Sequence, residues 1–159
     1  MSADTVAVRA VKASGLKHAV VEYGRVESVE AAAAARGVDL HQVIKTIVVR
    51  RGKGDLAMVL VPGDRVIDWP RLRTLLGVSR MALATADEAF EATGYRPGMI
   101  TPLGSKTALP VIADASMTGM ASIGGGAHGV AINIDASDLV GLLDAVVGEV
   151  TKEGSKEGG

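Results

Sequence analysis

A chain of 159 residues is most simply one domain, and its 48% hydrophobic content can bury a sizeable core, filled by Val, Ile, Leu, Ala and Met because aromatics are only 3%. A formal net charge of −1 argues against a strongly electrostatic nucleic-acid binder, though not against one that grips a short single-stranded end. With no cysteine there is no disulfide, thiolate metal site or cysteine nucleophile, and no apolar run approaches the ~18 residues that span a membrane. The first residues carry no signal-peptide apolar region, so a soluble cytoplasmic protein is the expectation.

The elements follow in chain order. Residues 4–14 read as a short amphipathic helix through Val8 and Val11, stopped by Gly15. His18 to Tyr23 reads as a strand. Ser28 can cap a helix through the alanine cluster to Arg36, with Gly37 past its end where a left-handed residue is wanted. Val43 to Val49 is a β-branched strand, residues 51–55 form a hairpin turn, and Leu56 to Val61 returns. Pro62-Gly63-Asp64 is a turn. Asp68 can cap a helix with Pro70 in its first turn, running to Leu76 with Gly77 after it.

Met81 to Ala84 reads as a short strand, and Asp87 to Ala92 as a helix ended by Thr93-Gly94. Leu109 to Ala113, Met120 to Ile123 and Val130 to Ile134 read as strands. Ser137 is the expected cap of a last helix whose apolar stripe uses Leu139, Leu142, Leu143, Val146 and Val147. Residues 1–150 then form one domain, and the polar, glycine-rich 151–159 a disordered tail. Helices and strands mix without strict alternation, which favours an α+β fold with a mixed, mostly antiparallel sheet.

Chemistry concentrates in two loops. Thr93 to Gly104 holds three glycines and two prolines, rigid in places and open in others. It is read as one wall of a pocket with Lys45 as the charge facing it; the alternative is a loop that only joins two elements. Gly124 to Gly129 matches G-x-G-x-x-G letter for letter, but a strand and not a helix follows, which argues against a dinucleotide site. Gly104-Ser105-Lys106-Thr107 fails as a phosphate-binding loop because Ser105 separates the glycine from the lysine. There is no serine-hydrolase elbow. His18, His41 and His128 have no metal-ligand spacing, so neither metal nor cofactor is expected. Lys45, inside a β-branched strand, lies on a solvated face or points into a site.

In order and spacing, Val43-Ile44-Lys45-Thr46, Thr93-Gly94-Tyr95, Gly98 to Gly104, Leu109-Pro110 with Asp114, the loop Gly124 to Gly129 and Asp138-Leu139 resemble the YbaK/ProX family, also called the YbaK/aminoacyl-tRNA-synthetase-associated domain. The resemblance covers about residues 15 to 150. It implies a curved, mostly antiparallel sheet, partly closed into a barrel and flanked by helices. It implies a free-standing editing domain that hydrolyses the ester of mischarged aminoacyl-tRNA carrying a small amino acid such as Cys or Ala. By position, Lys45 stands at the family's essential lysine. Gly98, Met99, Ile100, Thr101 and Pro102 form its ester-positioning loop, with Thr46, Thr93 and Gly94 beside it. Gly124, Gly125, Gly126 and His128 line the same pocket. The implied partners are the acceptor end of an aminoacyl-tRNA and a synthetase, with no membrane.

An aminoacyl ester is already activated, so a protein nucleophile is not required. The neighbouring ribose hydroxyl can assist, while the protein orients the ester and stabilises developing charge. The chain departs from close deacylases in the second glycine loop. There it has Ala127 and His128 in place of Lys-Arg, and Ala131 in place of an Asp. A non-catalytic module that binds an aminoacyl-tRNA end or a synthetase is the alternative reading.

Overall fold

Local chemistry sets the helix ends, and the computed structural model, which describes residues 3–154, shows each cap at work. Helix α1 (Val6–Ser14) opens on the Thr5 hydroxyl, α2 (Val29–Arg36) on Ser28 and α3 (Trp69–Leu76) on Asp68. Helix α4 (Ala86–Thr93) opens on a reciprocal Thr85–Glu88 capping box. Each ends at a glycine in the left-handed region: Gly15, Gly37, Gly77 and Gly94. A cap of this kind is worth about 1 kcal/mol, which matters for helices of eight or nine residues.

The strands are β1 (His18–Glu22), β2 (Val43–Gly52), β3 (Asp55–Pro62), β4 (Arg65–Ile67), β5 (Ala82–Leu83), β6 (Val111–Asp114), β7 (Met120–Gly124), β8 (Val130–Asp135), β9 (Val146–Gly148) and β10 (Thr151–Glu153). The main sheet runs β1-β8-β7-β2-β3-β6-β9, with β5 added to β2. Pairings β1/β8, β8/β7, β2/β3 and β2/β5 are antiparallel, while β7/β2, β3/β6 and β6/β9 are parallel. The fold is thus the expected mixed α+β arrangement. The hydrogen-bonded path ends at β1 and at β9 without joining them, so strand pairing among the described residues does not close a barrel.

Both faces of the central strands are buried. On one face Ile44, Val48, Met58, Leu60, Ile123 and Ile132 pack with α1, α4, the last helix and Leu103. On the other Val49, Val59, Val61 and Ile112 pack with Ile67, Leu72 and Val150. Double coverage explains why β3 reads as a nearly unbroken apolar run and not as an alternation.

The C-terminal third departs from the sequence reading. The last helix, α5 (Ala136–Leu143), is capped by the Asp135 carboxylate, which accepts from Ser137 N and Asp138 N, and not by Ser137. It stops at Asp144, the one described non-glycine residue with positive φ, at 51°. Val146 and Val147 therefore leave the expected helical stripe and pair in parallel with Ile112 and Ala113 as β9. Thr151–Glu153, expected in a disordered tail, pairs with β4, itself a strand not expected from the sequence. The rest of that expected tail, 155–159, lies outside the described residues.

Candidate functional site

The two glycine-bearing loops meet. A Cβ built on Gly98 would stand 3.7 Å from His128 Cε1, and one on Gly124 would stand 3.9 Å from the Ile100 carbonyl. Gly98 has φ of 86°, in the left-handed region, so glycine is required there on backbone grounds and the loop also gains open space in front of it.

Tertiary hydrogen bonds fix both loops from behind. The Tyr95 hydroxyl donates to the Leu103 carbonyl at 2.6 Å, and burial pushes the phenol's pKa up, which keeps that proton in place. The Thr5 hydroxyl donates to the Gly125 carbonyl at 2.6 Å. Gly125 N donates back across the loop base to the Val130 carbonyl at 2.8 Å. A Cβ on Gly125 would come within 2.5 Å of Val130 Cγ1, and one on Gly126 within 3.2 Å of Tyr95. These glycines hold packing room, whereas Gly98 faces the space between the loops. The amides of Gly126, Ala127 and His128 have no partner among the described residues.

The remaining loop residues divide by role. Thr93 is buried, and its hydroxyl donates to the Ala89 carbonyl and accepts from Tyr95 N, so it closes the end of α4. Gly94 is that helix's left-handed terminus. Thr101 is fully buried, with its hydroxyl accepting from Leu103 N, and Pro102 is buried next to it. Met99 and Ile100 are half-buried, and Ile100 packs on the larger core. The structure thus brings Gly98, Met99, Ile100, Gly124, Gly126 and His128 to one place. It puts Thr93, Gly94, Thr101 and Pro102 in the supporting frame.

Strand register decides what β2 adds. Thr46 pairs with Leu60 and so faces the core that carries Leu103 and Ile100, the side of the loops. Its hydroxyl oxygen is buried with no hydrogen-bond partner among the described residues. A buried polar atom left without a partner costs roughly 1–3 kcal/mol.

Lys45 pairs with Val61 and faces the other core. Lys45 was expected to be the charge facing the Thr93–Gly104 loop; the structure turns it to the opposite face, because successive side chains of a strand alternate. Its ammonium donates to the Arg65 carbonyl at 2.8 Å. Burial lowers its pKa below the ordinary lysine value, and the nearby Asp64 carboxylate opposes that shift. The backbone keeps Lys45 close to the glycine loop all the same. Ile44 pairs with Ile123, and β7 ends one residue later at Gly124.

Other groups gather behind Lys45 that no sequence spacing revealed. His41 sits between Asp64 and the Ser116 carbonyl, 23 and 75 residues away along the chain. Asp114, almost fully buried, accepts from Ser116 N at 3.1 Å, from the Ser116 hydroxyl and from Val150 N at 3.0 Å. Burial alone would raise its pKa, but these hydrogen bonds outweigh it and hold the carboxyl below its ordinary range. At the far end of β2 a cleft of about 560 Å³ is lined by Arg50, Arg51, Arg73 and Arg80 among others. The adjacent Arg50-Arg51 pair was its only trace in the sequence. Arg50 is 3.5 Å from Glu88 and Arg51 is 2.8 Å from Asp55. Arg73 and Arg80 have no acidic partner within 4.0 Å among the described residues. No cluster of three or more metal-ligating side chains occurs among the described residues, and none of their helices is long and apolar enough to cross a membrane.

Comparison with known proteins gives these features a context. The family model described as an aminoacyl-tRNA editing domain matches residues 24–142. The proline–tRNA ligase of Fervidobacterium nodosum is 33% identical over 123 residues, covering 74% of this chain and 21% of the ligase. That of Trichlorobacter lovleyi is 36% identical over 92 residues, covering 58% and 16%. The chain therefore spans about a fifth or less of the length of these ligases. A solved protein provisionally assigned as a trans-editing enzyme for prolyl tRNA synthetase superposes with a TM-score of 0.82. It is 26% identical, with 95% of this chain and 99% of that one covered.

Proposed function

We propose, from the premise that this chain belongs to the family of aminoacyl-tRNA editing domains, that it is a hydrolase of the ester in mischarged aminoacyl-tRNA, acting in trans on small amino acids such as Cys or Ala. The observation that carries this reading is the close approach of the Gly98 and Gly124–His128 loops on the sheet face that Thr46 shares. That space is walled by backbone and one imidazole, which suits a reaction needing orientation and an oxyanion site more than a nucleophile.

The amino acid lies against Gly98 and His128, where a methyl on Gly98 would already touch His128 Cε1 at 3.7 Å, so branched side chains find little room. The unbonded amides of Gly126, Ala127 and His128 supply donors for the oxyanion. The attacking oxygen is water, assisted by the vicinal ribose hydroxyl. The carbonyl carbon gains that oxygen, and the ester bond to the ribose breaks with the proton passing to the leaving hydroxyl. Lys45 lies across the sheet from the amino acid. This position favours a grip on the phosphate of the terminal nucleotide over contact with the oxyanion.

The arginine cleft extends the same reading to the tRNA. The cleft's Arg51 lies six residues along the strand from Lys45 and about 20 Å away, a span a few nucleotides can bridge. Arg73 and Arg80 are then free to meet backbone phosphates entering from the acceptor arm, although the chain as a whole is near neutral. A synthetase partner is part of the proposal, given the likeness to segments of proline–tRNA ligases.

The test is initial deacylation rates on matched Ala-, Cys-, Ser-, Pro- and Leu-tRNA. Turnover of the small esters with overlap among them, and sparing of Pro- and Leu-tRNA, is expected, because steric exclusion is stronger than discrimination by one methylene at about 1–3 kcal/mol. Preference for leucyl- or prolyl-tRNA would sink the steric account. Tight binding of every aminoacyl-tRNA without turnover would favour the non-catalytic module, a reading for which Ala127, His128 and the fully buried Ala131 speak.

A further inference from the structure

His41 lies in a 3-10 turn, Leu40–Gln42, that leads into β2. Its Nδ1 is 2.7 Å from Asp64 Oδ1 and its Nε2 is 3.0 Å from the Ser116 carbonyl. An ionised carboxylate and a carbonyl can only accept. Both ring nitrogens must therefore carry a proton for both bonds to exist, so the arrangement is that of an imidazolium. The turn between β3 and β4 is pressed against the same segment: a Cβ on Gly63 would come within 2.5 Å of the Leu40 carbonyl. Directly after Asp64, the Arg65 carbonyl receives the Lys45 ammonium at 2.8 Å. The chain of contacts thus runs from Ser116 through His41 and Asp64 to the peptide that holds Lys45.

We propose that His41 and Asp64 are positioning residues for Lys45, clamping the β3–β4 turn so that the Arg65 carbonyl and the Asp64 charge hold the ammonium in place. The proposal rests on the reading above only in giving Lys45 a substrate to hold. The charged groups that bear on His41 are Asp64 on the turn, Arg65 on β4 and, through Ser116, Asp114 at the end of β6. Asp39 begins its own turn, and Lys45 shares the influence of Asp64. Desolvation works against the charged imidazole, but the Ser116 carbonyl and Asp64 outweigh it, and the net direction is upward from 6.5. A base whose pKa is raised on folding contributes fully below its unfolded pKa and loses that contribution as pH rises through the folded one. The clamp is therefore complete in mild acid. It opens on the alkaline side of 6.5, where a ring lone pair comes to face an acceptor.

The experiment follows Lys45 directly, by lysine-selective 13Cε NMR against pH, in the full chain and in the variants His41→Gln, Asp64→Asn and Asp64→Glu. In the full chain the Lys45 signal should show a small inflection with the His41 titration, and His41→Gln should erase it. Asp64→Asn should move the Lys45 titration to lower pH, and Asp64→Glu should bring it back toward the original. In deacylation, Asp64→Asn should raise KM about tenfold with kcat little changed. A Lys45 signal that titrates alike in the full chain, His41→Gln and Asp64→Asn overturns the clamp. Should Asp64→Asn not fold, His41→Gln decides alone through the presence or loss of the inflection. Shifted Lys45 signals with an unaltered KM uphold the clamp and instead remove Lys45 from substrate binding.

Discussion

The two sides of strand β2 differ in what surrounds the strand itself. On the Thr46 side the polar atoms are loop amides and one buried hydroxyl, several without partners, and the walls are glycine. On the Lys45 side the groups around the lysine are tied together, although Ser122 Oγ, Asn133 Oδ1 and Arg36 Nε, further across β7 and β8 on that face, are buried without partners among the described residues. Lys45 bonds the Arg65 carbonyl, His41 bonds Asp64 and Ser116, and Asp114 bonds Ser116 and Val150. A hydrogen-bonded polar network fixes geometry, whereas loop amides left open are available to another group. In the proposed function the loop side is the half that meets the aminoacyl group, and the lysine side is its backing.

Removing the charge behind the strand is the most severe way to break this division. Lys45→Ala should lower kcat/KM about a hundredfold, the scale of losing one partner of a charge-assisted contact. The fold should survive, since the side chain makes one hydrogen bond and is only half-buried. Rates and circular dichroism on one sample check this, and an unchanged rate would confine the chemistry to the loop side.

Gly98→Val acts from the other side. A β-branched residue at φ of 86° is strained by about 1–3 kcal/mol, and its methyls enter the gap before His128. A fall of at least about tenfold is expected for every aminoacyl ester alike, on the scale of that strain if it is felt in the bound state. A selective loss for one ester would show that the gap discriminates in another way.

Thr46→Val separates a substrate contact from a packing imperfection, because its two effects have opposite signs. Replacing an unpartnered buried hydroxyl by a methyl should stabilise the fold by about 1 kcal/mol, read by urea denaturation. If the hydroxyl meets substrate, the deacylation rate should drop about tenfold on the same sample. A stabilised protein at full rate would mean that the Thr46 hydroxyl has no part in substrate binding.

The smallest effect is expected from chelation. Deacylation should survive EDTA once magnesium for tRNA folding is restored, because neither side of β2 gathers a metal-ligand set among the described residues. Recovery only with a transition metal would bring the histidines back into the mechanism.

Much of the frame was legible in the chain. Ser28 with Gly37, Asp68 with Pro70 and Gly77, and the β2–β3 hairpin are written in residues a few positions apart, and the structure keeps them. The order of the glycine loops pointed to the editing-domain family, which the match over residues 24–142 bears out. What failed lay in pairings between distant segments. Leu139, Leu142, Leu143, Val146 and Val147 carry a helical period, yet the open edge of β6 captures Val146 and Val147 once Asp144 has turned the chain. Thr151–Glu153 looks too polar to order by itself and becomes a strand because β4 offers it an edge.

The site divides in the same way. The sequence by itself determined that Lys45 and Thr46 point to opposite faces, since alternation along a strand is a local property. Only the tertiary structure decided which face the loops cover and which face receives His41, Asp64 and Arg65. Those choices depend on hydrogen bonds and packing between segments tens of residues apart, whose energy exists only once the chain has closed upon itself.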